Sequence, residues 1–316
     1  MYEQFFGFRE KPFSLLPDPD LLYLGNKHSM ALALLQYAIL NQIMVTVLSG
    51  EIGSGKTTLI RHIIDQLGDE VNIGLISNTH ADFGDLIQWV CLAYGLPVQG
   101  KDKITLYQDF YEYLIECYAR GQRSILVIDE SQNLDVSALE ELRLLTNINS
   151  GKDNILQLVL VGQPELRQKF KLPGLEQFMQ RVGVAYHLKP LDREETDRYI
   201  RHRIKSVGGD PDLFEPVALR FIHHQSGGIP RLINVICDSA LVYAYGERRK
   251  RIDVGLVHQV VQDKIKTGLL ATRKGYVDSN VDVVIPKKVV KETVVEPEKK
   301  SGDGFIPKSY FSDKAQ

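Results

Sequence analysis

The sequence has few cysteines and no long uninterrupted apolar run, and each shortage excludes a class of protein. The three cysteines, Cys91, Cys117 and Cys237, are scattered and odd in number. They offer neither a metal-binding spacing nor a disulfide framework, which suits a reducing cytosol. The most apolar stretch, residues 32–48, is interrupted by polar amide side chains, so it is too short and too polar to span a membrane.

A strong net charge and a secretion signal are also missing. The net charge is −2 at pH 7, so the overall balance points neither to nucleic acid nor to an acidic membrane. The first residues include Glu3 and have no long apolar core, which excludes a signal peptide. With 316 residues and 44% hydrophobic content, the chain can form one large domain or two ordinary ones. We therefore expect a cytoplasmic protein without a transmembrane segment that can dock on a membrane partner.

One loop organises the rest of the chain: GEIGSGKT, at residues 50–57, matches G-x-x-x-x-G-K-[ST] at every fixed position. An apolar strand pattern at residues 43–48 precedes it and a helical pattern at 58–67 follows it, which is the setting that a phosphate-binding loop requires. Backbone N–H groups and the helix N-terminus attract phosphate. Lys56 is expected to reach the β- and γ-phosphates of ATP, and the Thr57 hydroxyl to bind Mg²⁺. The predicted nucleotide-binding residues are Gly50, Glu51, Ile52, Gly53, Ser54, Gly55, Lys56, Thr57 and Thr58.

Strand and helix patterns alternate from this loop to about residue 188. Strands are predicted at 71–76, 124–128, 155–161 and 184–188, and helices at 82–94, 104–119, 136–148, 164–170 and 175–182. This order predicts an α/β P-loop NTPase fold, a three-layer parallel sheet covered by helices on both faces.

Near Pro190 the strand patterns stop. Helical patterns at 192–207, 215–225, 229–245 and 254–265 predict a small all-helical lid domain, in which Asp192 and Glu195 form a capping box. The expected domains are therefore 1–190 and 191–268, followed by a disordered tail at 269–316.

Asp129 and Glu130 end the strand at 124–128, as the two acids of a second nucleotide motif do. Asp129 is expected to hold Mg²⁺, directly or through water, and Glu130 to polarise the attacking water. We also expect this strand to lie next to the strand that leads into the phosphate-binding loop. The alternative is that the two acids only cap a helix.

Four further polar residues are candidates for the site. Gln163 follows the next strand, where its amide could bind the γ-phosphate or the water. Arg181 precedes the last strand and could reach the γ-phosphate of a neighbouring subunit, with Arg167 as the competitor. Arg231 begins a lid helix after Gly227-Gly228 and could touch the phosphates from the lid. Surface solvation is the alternative for each arginine.

Three segments keep open interpretations. Residues 2–24, aromatic and punctuated by prolines, are predicted to be extended, either as a strap over the nucleotide base or as a cover for the core. The helix at 28–40 after them has Asn26 as its expected cap. The basic run at 248–251 could meet DNA or acidic lipid, or form a solvated helix end. The apolar residues at 305–311 could be a docking peptide or inert.

Together with the loop and ILVIDE at 125–130, several stretches resemble the general secretion pathway protein A family, which includes ExeA-like and MshM-like AAA+ ATPases. They are YEQFFGFREKPF at 2–13, PDP at 17–19, VGQPEL at 161–166, and SGGIPRLIN at 226–234 followed by Cys237 and Asp238. The resemblance covers residues 1–268 and implies a AAA+ ATPase with ATP and Mg²⁺ as cofactors. It implies that Gln163 takes the first sensor position and Arg231 the second, that Arg181 is the arginine finger, and that the chain works as a homo-oligomer such as a ring.

This family serves type II secretion, type IV pili and exopolysaccharide export. The resemblance therefore implies an ATPase that drives assembly of a bacterial envelope export system, with partner proteins at the inner membrane. Longer members continue into a membrane span and a peptidoglycan-binding domain, and these 316 residues contain neither. We therefore expect the shorter, cytoplasmic members to be the closer match.

Two alternatives to this function stay open. One is a DNA-linked ATPase regulator of transposition or replication type, against which no DNA-binding domain follows the lid. The other is a nucleotide-dependent switch with little turnover, against which Glu130 argues for hydrolysis.

Overall fold

Five parallel strands form one sheet in the part of the chain that the computed structural model describes, which comprises residues 1–16, 21–77, 85–150 and 153–271. The strands in chain order are β1 (Val45–Gly50), β2 (Val71–Ile76), β3 (Arg123–Ile128), β4 (Asn149–Ser150), β5 (Asp153–Asn154), β6 (Leu156–Gly162) and β7 (Val182–Leu188). The sheet has the order β2-β3-β6-β1-β7, and β4 pairs antiparallel with β5 in a separate two-stranded sheet. The predicted α/β fold with a parallel sheet is therefore confirmed.

Twelve helices accompany these strands in the described residues. They are α1 (Tyr2–Phe6), α2 (Asn26–Leu40), α3 (Lys56–Ile64), α4 (Leu86–Ala93), α5 (Lys103–Ala119), α6 (Val136–Leu145), α7 (Pro164–Lys169), α8 (Glu176–Met179), α9 (Arg193–Ser206), α10 (Pro216–Ser226), α11 (Pro230–Gly246) and α12 (Val254–Lys266). Within the described ranges, none of them combines the length and the apolarity that crossing a bilayer requires.

The sheet is covered on both faces because its strands alternate their apolar side chains between two cores. Leu126 and Ile128 of β3 pack in one core with α4, α5 and α6, whereas Ile125 and Val127 pack in the other with α2 and α3. Successive side chains of a strand point to opposite faces, so a run of apolar residues serves both cores. Both cores hold the carboxyl ends of β1, β3 and β6 together at one edge of the sheet, where the candidate site lies.

The helices α9–α12 pack around a third apolar core together with the N-terminal aromatic residues. Tyr2, Phe8 and Phe13 are buried there against Ile200, Phe214 and other side chains of this helical segment. The predicted capping box at the start of α9 is present: Asp192 accepts from the backbone of Glu195, and Glu195 accepts from the backbone of Asp192. Residues 1–13 therefore pack with the helical segment rather than with the sheet.

The order of the strands corrects one prediction. The strand that ends at Asp129 was expected beside the strand that enters the phosphate-binding loop, but β6 lies between them, paired to β3 on one side and to β1 on the other. Chain order does not determine neighbours in a doubly wound sheet, because each crossover can skip a position. As a result Gln163, which directly follows β6, lies between the loop and Glu130.

Two local predictions at the N-terminus are also wrong. Residues 2–6 form the short helix α1 rather than an extended segment, and α1 ends at Gly7 in a left-handed conformation with φ 75°. Asn26 begins α2 instead of capping it, and Gly25 takes the cap position. A side chain at Gly25 would come within 2.9 Å of the Tyr23 ring, so a glycine suits this crowded position. The predicted tail from residue 272 onwards, with the apolar residues 305–311, lies outside the described residues, as does the first part of the helix predicted at 82–94.

Candidate active site

The phosphate-binding loop lies between β1 and α3 and depends on two left-handed glycines. Gly53 has φ 77°, and Gly55, the N-cap of α3, has φ 97°. Glycine adopts this left-handed backbone conformation without the steric cost that a side chain would add. A Cβ at Gly53 would come within 2.5 Å of the Arg231 side chain, so this glycine also permits a close approach. Gly50 ends β1, Ser54 is buried, and Glu51 and Ile52 are exposed.

Lys56 lies inside its own loop. Its ammonium donates to the backbone oxygens of Gly50, at 2.8 Å, and Glu51, at 3.0 Å, and the residue is only 6% exposed. Burial lowers the pKa of Lys56, while the nearby carboxylates of Glu130 and Asp129 act in the opposite direction. The carboxylates thus favour the charged ammonium, which is the form that binds phosphate.

Thr57 and Asp129 form a pair of oxygen ligands at the carboxyl end of the sheet. The Thr57 hydroxyl donates to Oδ2 of Asp129 at 2.6 Å, while Oδ1 of Asp129 accepts from the backbone N–H of Glu130 at 2.8 Å. Mg²⁺ takes hard oxygen ligands and is bound by one or two carboxylates together with substrate phosphates. Within the described ranges no group of three or more His, Cys, Asp or Glu could form a metal cage. The pair therefore fits a Mg²⁺ ion that arrives with a nucleotide.

The Glu130 carboxylate lies between two glutamine side chains. Its Oε2 accepts from Nε2 of Gln132 at 2.6 Å and from Nε2 of Gln163 at 3.0 Å. Glu130 also has φ 54°, a left-handed conformation that residues other than glycine rarely adopt. Such strain gathers at functional sites, where the surrounding contacts hold it. The structure thus brings together Glu130 and Gln163, which the sequence analysis had singled out separately.

Arg231 reaches the loop from the helical segment. It follows Pro230 at the start of α11, and its backbone N–H donates to the oxygen of Gly53 at 3.1 Å. Its side chain is exposed and lines the same cavity as Lys56. Proline in the first turn fixes the direction of the helix start, and so the direction from which Arg231 approaches.

Arg181 lies away from this cavity. Its guanidinium donates to the backbone oxygen of Arg143 at 2.9 Å and also bonds the side chains of Thr146 and Asn147, all at the C-terminal end of α6. Burial lowers the pKa of Arg181. The competitor, Arg167, is exposed on α7 and does not line the cavity either. Within one chain, therefore, neither arginine is part of the site.

The loop opens into a cavity of about 340 Å³ with a mixed polar and apolar lining. Its polar lining includes Lys56, Thr57, Glu130, Gln163 and Arg231. Its apolar and aromatic lining residues include Leu15, Leu16, Leu21, Leu22, Tyr23, Leu191, Tyr199 and Pro230. A site for a small ligand typically has this volume and combines apolar walls with a few placed polar groups. The cavity therefore offers both polar groups and apolar surface to a ligand.

Arg203 and Asn234, which line the cavity, hold the N-terminal segment beside it. The buried guanidinium of Arg203 donates to the oxygens of Pro12 at 2.6 Å, Ser14 at 3.4 Å and Leu21 at 3.4 Å. Asn234 adds a bond to the oxygen of Ser14 at 3.3 Å. The aromatic part of this segment therefore covers the helical core, and the leucines after it line the cavity, whereas a strap over the nucleotide base stays a prediction. No sequence motif indicated Arg203, since its partners are backbone atoms far away in the chain.

Two neighbouring residues of α2 connect the loop and the helical segment. Nε2 of His28 donates to the oxygen of Ser54 at 3.0 Å, whereas its Nδ1 is buried without a hydrogen-bond partner in the described part of the chain. The Lys27 ammonium donates to the oxygen of Pro190 at 2.9 Å and to the buried carboxylate of Glu195 at 2.7 Å. Both contacts escaped the sequence analysis, because a single His or Lys on a helix carries no signal of its partner.

Stability should fall on acidification because several histidines are held neutral. Burial, the largest cause in each case, lowers the pKa of His28, His187, His202 and His223. Below an unfolded pKa of about 6.5, the unfolded chain then binds more protons than the folded chain. The stabilisation is complete above that pH and is lost as the pH falls through the lowered folded values.

Urea unfolding at about pH 7.5 and pH 5.5 should show this loss. His28→Gln should lose less stability between the two pH values than the wild type, because an uncharged amide keeps a donor for Ser54 and does not titrate. Equal losses in the two proteins would contradict the assignment of this effect to His28.

The basic run at 248–251 is partly neutralised within the chain. Arg249 contacts Glu247 at 2.8 Å and Asp253 at 3.0 Å. The Lys250 ammonium donates to the backbone oxygen of Phe5 and lies 3.6 Å from the centre of its ring. These contacts favour a helix end packed on α1 over a free basic patch.

Residues 41–170 match the AAA domain family. The fold is similar to that of solved structures: Cdc6p from Pyrobaculum aerophilum has a TM-score of 0.64 at 17% identity, covering 83% of this chain and 72% of that one. The ORC2 protein of Aeropyrum pernix has a TM-score of 0.61 at 18% identity, covering 82% and 74%. At such identities the likeness shows the fold alone. The family match and the fold together identify a AAA-type domain with the P-loop NTPase fold.

The chain is, more particularly, a relative of general secretion pathway protein A. It is 42% identical over 253 residues to the protein of that name from Aeromonas hydrophila, which covers 80% of this chain and 46% of the relative. The resemblance predicted from the sequence is therefore confirmed. This chain spans about half the length of that relative.

Proposed function

We propose that this chain is a Mg²⁺-dependent ATPase that supplies energy for assembling a bacterial envelope export system. One observation carries the catalytic part of the proposal: a single cavity is lined by Lys56, Thr57, Glu130, Gln163 and Arg231. A cation, a hydroxyl beside a carboxylate, a second carboxylate and an amide are the groups that phosphoryl transfer to water requires. Their convergence from the loop, β3, β6 and α11 has no simpler explanation in the packing of the fold.

Each residue has a distinct task in this proposal. Lys56 and the N–H groups of the loop bind and orient the β- and γ-phosphates. Thr57 and Asp129 hold Mg²⁺, which when bound offsets the negative charge of the phosphates. Glu130 accepts a proton from the attacking water, and Gln163 orients that water or the γ-phosphate. Arg231 approaches the phosphates from α11, so that it can couple their presence to the position of the helical segment.

The export role rests on the relationship to general secretion pathway protein A. Identity of 42% over 80% of the chain supports a shared role, and the proposed partners are export or pilus assembly proteins at the inner membrane. We propose that the chain lies in the cytoplasm and docks peripherally on the inner membrane. The DNA-linked alternative has less support, because Arg249 and Lys250 of the basic run already have partners within the chain.

We further propose that the active form is a homo-oligomer in which Arg181 serves the site of a neighbouring subunit. An arginine that stabilises transferring phosphate in trans contributes a large factor to turnover. In the single chain, the Arg181 guanidinium bonds the end of α6 at Arg143, Thr146 and Asn147, so it must leave these partners to act.

The test is the ATPase rate per chain as a function of protein concentration. For the wild type we expect it to rise with concentration, and for Arg181→Ala to stay low throughout. Adding Lys56→Ala, which has a dead site but an intact Arg181, should restore part of the activity of Arg181→Ala. Failure of this rescue would mean that Arg181→Ala acts within its own chain, by loosening α6. A rate that is independent of concentration and equal in the mutant would indicate a self-sufficient monomer, and Arg167→Ala would then be tested in the same assay.

A further inference from the structure

Gln132, two residues after Glu130, contacts both of the groups proposed to act on the water. It lies in a 3₁₀ turn, Ser131–Asn133, between β3 and α6. Its Nε2 donates to Oε2 of Glu130 at 2.6 Å, while its Oε1 accepts from the backbone N–H of Gln163 at 3.0 Å. Both ends of one side-chain amide are therefore used, and they connect the end of β3 to the end of β6.

The turn that carries Gln132 is fixed by contacts on both sides. The Lys169 ammonium, from α7, donates to the backbone oxygen of Gln132 at 2.5 Å and also to that of Leu134. The fully buried Ser131 donates its hydroxyl to the oxygen of Ile128 at 2.7 Å. A Cβ at Gly162 would come within 3.0 Å of Oε1 of Gln132, so the absence of a side chain there lets the amide approach β6. Such a built environment distinguishes Gln132 from a surface glutamine.

We propose that Gln132 is a positioning residue for hydrolysis, which holds the Glu130 carboxylate in the direction from which it takes the proton of water. The proposal rests on the function proposed above for Glu130. Two amide donors meet on the same carboxylate oxygen, from Gln132 on one side and Gln163 on the other. Together with the left-handed backbone of Glu130, they fix the orientation of its carboxylate. A misplacement of about 1 Å in a catalytic group can reduce the rate on the order of 100-fold. A residue that positions such a group therefore affects the rate although it touches no substrate.

The side chain offers a variant that separates its two contacts. Gln132→Glu keeps the length of the side chain and an acceptor for the N–H of Gln163, but it loses the donor to Glu130. Asn133→Asp is the matched control, because it makes the same amide-to-acid change in the same turn, at an exposed position. The control accounts for an added negative charge in the turn, whereas the repulsion between the new carboxylate and that of Glu130 acts only in Gln132→Glu and adds to the loss of the donor. Gln132→Ala, which removes both contacts, is a second test of the same prediction.

The experiment measures kcat, KM and ATP binding for the full chain and its variants. Gln132→Glu should lower kcat about tenfold or more relative to Asn133→Asp, with KM and the ATP dissociation constant within about twofold, because the residue acts only on the chemical step. In a Glu130→Gln background, Gln132→Glu should cause no further loss, since the carboxylate that it positions is gone. A structural role alone would lower the rate equally in both backgrounds.

The outcomes separate this inference from the proposed function. If Gln132→Glu and Gln132→Ala keep the kcat of Asn133→Asp, or raise it, Gln132 does not position Glu130 and the inference is overturned. If Glu130→Gln alone keeps wild-type turnover, the proposed role of Glu130 fails, whatever the variants at Gln132 show. Urea unfolding of each variant identifies any loss of rate that comes from misfolding.

Discussion

Glu130→Gln should reduce ATP turnover by about 100-fold or more, while the chain still binds ATP about as tightly as the wild type. The amide has the shape of the carboxylate but cannot accept a proton from water. Lys56, Thr57 and Asp129, which are proposed to bind the phosphates and Mg²⁺, remain unchanged. ATP binding is measured at equilibrium with labelled ATP, and turnover by release of phosphate.

Glu112→Gln is the control for this experiment. Glu112 is exposed on α5, where its carboxylate accepts from Gln108 at 2.9 Å, and it does not line the cavity. This variant should therefore turn over ATP like the wild type. Wild-type turnover in Glu130→Gln would contradict the assignment of the catalytic base. Loss of ATP binding would show that Glu130 helps to bind ATP before the chemical step.

Gly228→Ala should lower the free energy of unfolding by about 3 kcal/mol or more. Gly228 has φ 73°, and a Cβ there would come within 1.9 Å of the backbone oxygen of Leu191. The two backbones are already bonded, because the N–H of Leu191 donates to the oxygen of Gly228 at 2.9 Å. The added methyl group must therefore push apart the segment after β7 and the segment before α11. Urea unfolding measures the effect.

Gly246→Ala provides the matched control for this substitution. Gly246 ends α11 without a positive φ, and a Cβ there would have nothing within 4 Å. Alanine should leave stability unchanged or raise it by at most about 1 kcal/mol, because it favours the helix more than glycine does. Equal stabilities for Gly228→Ala and Gly246→Ala would contradict the close approach at Leu191.

Gly228→Ala should also weaken ATP binding, since Pro230 and Arg231, which line the cavity, follow Gly228 by two and three residues. The position thus connects stability with function. The hydrogen bond between the backbones of Leu191 and Gly228 holds the segment before α11 in place, and this segment determines where Arg231 lies. Gly246→Ala should bind ATP like the wild type.

The sequence predicted those parts of the site that short motifs carry. The loop at 50–57 and the acids after β3 could be placed on elements because strand, loop and helix follow one another in the chain. The capping box of Asp192 and Glu195 is local in the same sense, and it is present.

Features that depend on distant contacts could not be predicted in this way. The insertion of β6 between β1 and β3 follows from the path of the crossovers, which hydrophobic periodicity does not record. Gln132 matches no motif, and its importance became apparent only when β3 and β6 were found side by side. Arg203 binds backbone oxygens of residues about 190 positions away, such as Pro12, so no pattern near it could indicate the contact.

The proposed roles of the arginines depend on contacts with a second chain, which sequence motifs also do not record. Arg181 and Arg167 were candidates because of their places next to β7 and Gln163, but a finger acts on a second chain. Within one chain Arg181 bonds the end of α6. The mixing experiment with Lys56→Ala tests its proposed role in a second chain.

A single-turnover assay tests whether this chain cleaves ATP at the loop of Lys56 with Mg²⁺. The full chain is placed in excess over γ-labelled ATP, at a concentration that allows assembly, with Mg²⁺ or with EDTA. We expect release of labelled phosphate with Mg²⁺ and none with EDTA, and none from Lys56→Ala under either condition. Cleavage that persists in Lys56→Ala, or an inactive wild type that binds ATP and Mg²⁺, would contradict the proposed function.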